Sequence, residues 1–339
     1  MKSSGDCGIP DNPCFVRAHP IALVPHHLLI PFAAASAPGC QALLPDLRLP
    51  NLQALLARLA EQSADRGDEH SMSPPHERAL ARALGLPATD GRIPWAAAQS
   101  EAPTVPQAWF SLCHFQVGME QVSLLPGAQL ALDEASSRAL FAAFEPLCAE
   151  DGITLRWDSP TEWHASGEPL RGIACASLDR VSGRMVDTWM AESPANPAGA
   201  RLLKRLQSEA QMLFYTHPAH DARTAAGLLP VNGFWVHGAG ALDSTPSLAE
   251  APAMPDALRQ AALQSDWAGW QAAWAALDAG EIAALLATAL RAEPVTLTLC
   301  GERHARTWTT APAGTFARLG RSIKQLFGPA PIADTLKDL

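Results

Sequence analysis

The segment Ile21 to Phe32 is an apolar run of strand length punctuated by Pro25 and Pro31. It is followed by Leu49-Pro50-Asn51-Leu52, from which Leu52, Leu55, Leu56 and Leu59 recur at helical spacing, and the polar run Glu61 to Glu69 ends that helix. A buried strand feeding an amphipathic helix opens a layered α/β fold and constrains what the rest of the chain can build. The prolines, with His26 and His27 in the middle of the run, argue against a membrane span or export signal there. With 339 residues, 48% of them hydrophobic and 17% charged, the chain can bury a core as one large domain or two. Its formal charge of −9, from 25 basic against 34 acidic side chains, argues against a nucleic-acid partner, which needs a concentrated positive face.

Local signals place the remaining elements. Residues 1–18 read as a loose leader. Ser73 as N-cap, Pro74 at the first helical position and Gly85 as stop bound a helix in which Ser73, His76, Glu77 and Arg78 crowd the start, an arrangement that capping alone accounts for. A helix from about Asp133 is bent or ended by Pro146 and stopped by Gly152. Ile153 to Trp157 and Trp163 to Ser166 flank a turn, and Gly172 to Leu178 is a further short strand. Ala198 to Tyr215 is a long helix, followed by a loop from His217 to Pro230 and a strand Phe234 to Val236. Leu248 to Asp256 reads as a surface linker. Trp267, Trp270 and Trp274 share one helical stripe, which suits core packing better than a ligand platform. Val295 to Cys300, Gly301-Glu302 and Arg303 to Thr309 form a hairpin, and a helix from Thr315 to Phe327 closes the chain. The expected organisation is an α/β core from 19–110 and 198–339, with a smaller sheet-containing subdomain inserted at 111–197.

Seven scattered cysteines, with Cys7 and Cys14 the only close pair and no zinc-ligand spacing, fit reduced thiols and a cytoplasmic protein without structural zinc. No phosphate loop, dinucleotide fingerprint, nucleophile elbow or His-Glu-x-x-His sequence occurs. What remains is polar crowding. His217, His220, Asp221 and Arg223 lie before Asn232 and His237, a set that could hold a metal or an anion, or could simply satisfy backbone groups of a loop. His114 and Gln116 alternate on one face of a strand, lining a pocket or facing water.

The stretch Leu202 to Gly240 resembles archaeal-type cofactor-independent phosphoglycerate mutases, members of the alkaline phosphatase superfamily. The matching residues are His217, Pro218, Arg223, Gly227, Pro230, Asn232, Trp235, Gly238 and Gly240, and Leu49-Pro50-Asn51-Leu52 looks like the superfamily's Thr-Pro-Asn-Leu opening. Over residues 20 to 335 the chain is similar to a proteobacterial family labelled phosphoglycerate mutase or Rpf-type regulatory protein E, through Ser73 to Arg78, Cys113 to Met119 and Leu228 to Val236. The resemblance implies an alkaline-phosphatase-like layered sheet with helices on both faces and a smaller inserted subdomain. It also implies two Mn or Mg ions held by Asp and His, a nucleophilic Ser and a small phosphorylated or anionic ligand.

The sequence departs from that pattern where the metals should sit. Ile30-Pro31-Phe32-Ala33 replaces the metal-binding Asp-Gly after the first strand, and Leu297-Thr298-Leu299-Cys300-Gly301-Glu302 replaces the late ligand cluster. The expectation is therefore no bound metal and no mutase activity, with ligand binding or regulation in their place. The rival is an active metal-dependent isomerase or phosphatase that rebuilds a site from His26 or His27, His114, His217, His220 and Asp221.

Overall fold

The computed structural model describes residues 26–119, 121–186, 189, 193–310 and 331–339. The leader 1–18, the Cys7 and Cys14 pair and the helix 315–327 lie outside them. The chain begins with β1 (His27–Ile30), α1 (Pro38–Leu43), α2 (Pro50–Leu56), β2 (Leu59–Arg66), α3 (Pro75–Leu84) and α4 (Trp95–Ala98). β3 (Gln107–Val117), β4 (Val122–Pro126), α5 (Glu134–Glu150), β5 (Thr154–Ser159), β6 (Glu162–Ser166) and the single turn α6 (Leu178–Val181) follow. Then come α7 (Pro197–Thr216), α8 (Pro218–Ala225), β7 (Gly233–Gly240), α9 (Ala257–Leu263), α10 (Trp267–Leu277), α11 (Ala283–Leu290), β8 (Thr296–Cys300), β9 (His304–Thr310) and α12 (Ile332–Lys337). This is the mixed α/β chain that the sequence predicts, carried on two sheets.

Those sheets belong to two compact units. One comprises Pro94–Leu178 and Arg184–Thr245; the other comprises the described residues up to Ile93, Asp179–Gly183, and the described residues from Pro246 onward. The expected insert of 111–197 differs from this division because β7 pairs antiparallel with β3, which gives the segment up to Thr245 to the same unit as β3.

In the first unit β3 is the organising strand. Its Gln107–Ser111 half pairs with β6 and its Cys113–Val117 half with β4, while β7 lines up along Gln107 to Cys113. Alternation sends Ala108, Phe110 and Leu112 into a core shared with Phe144, Trp163, Phe214 and Phe234. Phe110 stacks on Phe234 at 4.5 Å between ring centroids, a contact of the kind that adds to plain area burial. The other face of β3 carries Gln107, Trp109, Ser111 and Cys113.

In the second unit β1 pairs parallel with β8, β8 antiparallel with β9, and β9 with β2, giving the order β1-β8-β9-β2. Leu28, Ile30, Leu297, Leu299 and Trp308 face a core built with α2, α10 and α11. The indole stripe belongs to that core: Trp270 and Trp274 are fully buried and meet edge to face, and Trp270 Nε1 donates to the Phe32 carbonyl at 2.9 Å. Trp267–Leu290 is the one run among the described residues long and apolar enough to cross a membrane. Its Trp270, Trp274, Leu277, Ile282 and Leu285 lie in this unit's core, and a π-helical turn from Asp278 to Ile282 joins α10 to α11.

That turn holds the opening of α2. α2 has no side-chain cap of its own, and Asp278 supplies one from across the fold, accepting from the backbone N–H groups of Leu52 at 2.8 Å and Asn51 at 3.2 Å. Asn51 answers by donating Nδ2 to the Asp278 carbonyl at 3.0 Å. A carboxylate on the first amides of a helix satisfies orphan donors and opposes the helix dipole favourably.

Four local expectations change. The polar run Glu61 to Glu69 is not a helix end; most of it lies in β2, a mainly exposed strand paired with β9 alone among the described residues, and such a strand shows no apolar alternation. The third helix starts one residue late, with Pro75 at its first position, because Ser73 accepts from Gly91 N–H instead of capping. Gly172 to Leu178 forms no strand. The loop after His217 contains α8, with Pro218 at its first position.

Replacing Asp278 by Ala should destabilise the protein by about 2 kcal/mol, the cost of stripping a buried cap that accepts several hydrogen bonds. Urea unfolding followed by tryptophan fluorescence checks this, and Asp278→Asn should lie between the variant and the natural protein.

Candidate functional site

The residues singled out from sequence in the first unit serve mostly as scaffold. Arg223 is buried and spends its guanidinium on carbonyls, donating Nε to Leu229 at 3.0 Å, Nη1 to Ala131 at 3.4 Å and Nη2 to Leu130. Asn232 bridges to β3, accepting from Phe115 N–H at 2.6 Å and donating to the Phe115 carbonyl at 2.9 Å. His114 donates Nδ1 to the Pro230 carbonyl at 2.8 Å. His217 caps α8, its Nδ1 accepting from Ala219 N–H at 3.1 Å. His220 packs edge-on against Tyr215, and Asp221 and Gln116 are exposed. Arg223, Asn232, His114 and His217 thus spend their polar groups on backbone, while His220 Nδ1 is buried without a hydrogen bond among the described residues.

His237 stands apart. Its Nε2 lies 2.7 Å from Ser111 Oγ and 3.2 Å from Glu162 Oε2, and Ser111 donates to the same carboxylate oxygen at 2.8 Å. The three strands β7, β3 and β6 bring these residues together, and all three side chains are buried. In a nucleophilic triad the acid holds the ring nitrogen remote from the serine. Here one nitrogen faces both partners, so the three side chains form a polar triangle in which Glu162 does not take the acid's place of such a triad. Nearby His164 is also buried, and burial together with the Arg156 charge pushes its imidazole below the usual histidine range. Sequence reading did not single out Ser111 or Glu162; the one local signal was the alternation that sets Gln107, Trp109 and Ser111 on the face opposite the core.

The second unit holds a denser charged cluster at the carboxyl end of β1. Phe32, two residues past that strand, takes a left-handed φ of 50° and sets its ring 5.4 Å from that of His76, in the first turn of α3. His76 Nε2 lies 3.1 Å from Asp179 Oδ2. Arg259, from α9, grips both oxygens of Asp179, Nε at 2.6 Å and Nη2 at 2.5 Å, and reaches Asp256 with Nη1 at 3.1 Å. His76, Asp179 and Arg259 are all buried. Burial opposes the Asp179 charge, but the Arg259 charge and the hydrogen bonds from His76 and Arg259 outweigh it and hold the carboxyl below the usual carboxylate range. Arg259 is raised above its ordinary value, burial opposing and Asp179 prevailing.

His76, Glu77 and Asp179 are the one group of three metal-type ligands among the described residues, their ligand atoms lying within 4.8 Å of one another. None of His26, His27, His114, His217, His220 or Asp221 joins such a group among the described residues. A dication placed among the three would face the Arg259 guanidinium already forked on Asp179, and like charges in a low-dielectric site repel strongly. The late strand supplies no carboxylate to offset this. β8 ends at buried Cys300, and Glu302 beyond it accepts from the backbone and the hydroxyl of Ser36. These residues do not fit a two-metal centre. His76 and Glu77 read in sequence as part of a capped helix start, while Asp179 and Arg259 carried no local signal at all.

No protein-family model matches this sequence, and no curated protein matches it. Two solved structures align along most of the chain. The cofactor-independent phosphoglycerate mutase of Thermoplasma acidophilum is 12% identical, with 86% of this chain and 91% of that chain covered and a TM-score of 0.34. The PH0037 protein of Pyrococcus horikoshii is 11% identical, with 86% and 88% covered and a TM-score of 0.42.

Asp179→Asn should destabilise the protein by about 3 kcal/mol, because it removes the buried carboxylate on which the Arg259 guanidinium is forked and leaves the partly exposed Asp256 to balance that charge. The natural pair also sets a pH dependence. A carboxyl held below its unfolded value gives stability that is complete above that value and lost as pH falls through the folded one. Denaturation midpoints between pH 7 and pH 2 should therefore fall less steeply for Asp179→Asn than for the natural protein.

Proposed function

We propose that this chain is a phosphoglycerate-mutase-like protein without two-metal phosphoryl transfer, acting in the cytoplasm by binding a small phosphorylated or anionic ligand in a regulatory role. The observation that carries the proposal is the fork of Arg259 on both oxygens of Asp179 beside Phe32, at the strand end where the mutase-like resemblance calls for metal-binding carboxylates. Phosphoryl transfer in that mechanism needs metal charge on the attacking and leaving oxygens. This place instead presents an apolar ring and a neutralised carboxylate. The retained His217 to Gly240 stretch supports the same reading, since Arg223, Asn232 and His217 are engaged in holding backbone and can be kept for folding alone. The buried thiols of Cys40, Cys113, Cys148 and Cys300 suit a reducing compartment.

The test is conversion of 3-phosphoglycerate to 2-phosphoglycerate by the purified full-length protein with Mn²⁺ added. The expected result is no turnover above background, with 3-phosphoglycerate raising the melting temperature, since saturation at a hundredfold excess over Kd stabilises by about 2.7 kcal/mol. Turnover that disappears in His217→Ala would mean a rebuilt active site and would overturn the proposal.

A further inference from the structure

The second unit's sheet is covered unequally. Its core face packs against α2, α10 and α11 along β1, β8 and β9, whereas on the opposite face α3 presents Ala79 and Ala83 beside the longer Arg82, leaving a cleft of about 740 Å³ over β1, β8, β9 and β2. That volume lies in the range of small-molecule sites. The floor of the cleft is a strip of hydroxyls. Thr298 and Thr307 are direct cross-strand partners with hydroxyls 3.1 Å apart, and His27 Nε2 lies 3.0 Å from the Thr298 hydroxyl. Thr296, opposite His27 in the parallel pair, and Ser63, opposite Thr307, extend the strip. Burial pushes the His27 imidazole down to about 4, so it is neutral at cellular pH and offers hydrogen bonds without charge.

Charge enters from one side. Asp65 receives both Arg78 and Arg82, so two guanidiniums share one carboxylate, and Arg66 adds a third positive side chain at the rim. Arg82 is half exposed and aimed at the cleft wall, and a guanidinium with open donors is suited to an oxyanion. A hydroxyl-lined floor with Arg82 and Arg66 on one wall matches a ligand that has alcohol groups on one side and a phosphate or carboxylate on the other.

We infer that the cleft between α3 and the open face of the β1-β8-β9-β2 sheet is a binding site for a small hydroxylated anion of the polyol-phosphate class, read by the Thr298–Thr307–His27 strip and by Arg82. The inference rests on the reading of the protein as a binder, and it names a place for the ligand apart from the Asp179–Arg259 cluster.

The experiment is calorimetric titration of the full-length protein with glycerol 3-phosphate, inorganic phosphate and glycerol as separate probes, repeated on Arg82→Gln and Thr307→Val. Both variants change groups that are partly exposed, and circular dichroism and melting temperature verify that each is folded. Glycerol 3-phosphate should bind at least tenfold more tightly than either fragment. Arg82→Gln should weaken it at least tenfold, and Thr307→Val about fivefold while leaving phosphate affinity unchanged. Affinities for glycerol 3-phosphate within twofold of the natural protein in both variants, no binding at millimolar concentration, or equal binding of phosphate alone would overturn the cleft as the site. None of those results produces mutase turnover, so the failure of this inference is distinguishable from the failure of the functional reading.

Discussion

The fork of Arg259 on Asp179 is the contact on which the second unit's charged interior depends. Each partner alone would be a buried ion with a desolvation cost of several kcal/mol, and the pair exists because two parallel hydrogen bonds and a shared field repay that cost. The pair also determines where the chain runs. Asp179 opens a five-residue excursion, Asp179–Gly183, between two long stretches that belong to the first unit. Within that excursion Arg180 donates to the Glu302 carbonyl at 2.9 Å, so two consecutive charged side chains at its start hold the segment in the second unit. An ion pair of this kind adds little net stability over an apolar substitute, and what it supplies here is a fixed address for a short segment.

The same choice shapes the chemistry available at the carboxyl end of β1. A carboxylate already gripped by a guanidinium is poorly placed to neutralise a dication, and the cluster is buried with the Phe32 ring against His76. The charge balance of the cluster is an internal one. Substrate-like recognition then has to be sought where polar groups still face solvent, and the open sheet face is such a place.

Much of the fold was legible because local chemistry and tertiary outcome agree. Asp133 caps α5, Gly85 and Gly152 take the left-handed turn expected after a helix, and the alternation of Leu297 and Leu299 against Trp308 gives the β8–β9 hairpin. The failures have equally local causes. β2 is an edge strand exposed on both faces, so it lacks the alternation that marks half-buried strands. α8 was hidden because its cap is a histidine ring and not one of the usual hydroxyl or carboxylate side chains. The polar clusters were least legible. Ser111 meets Glu162 across 51 positions and His237 across 126, and Asp179 meets Arg259 across 80, distances at which no spacing rule operates. The family-like residues Arg223 and Asn232 were visible, but their role in holding backbone was not, since a guanidinium on carbonyls and one on a phosphate look alike in sequence.

The parallel pairing of β1 with β8 carries a consequence for the protein's birth. Leu28 and Ile30 are fully buried in the finished sheet, yet their partners Leu297 and Leu299 lie 269 residues further along the chain. At a synthesis rate of roughly 5 to 20 residues per second, the first strand waits on the order of ten seconds or more without its neighbour. Throughout that interval Leu28 and Ile30 lack the strand that pairs with them in the finished sheet, an exposure set by topology and unchanged however stable the finished molecule became.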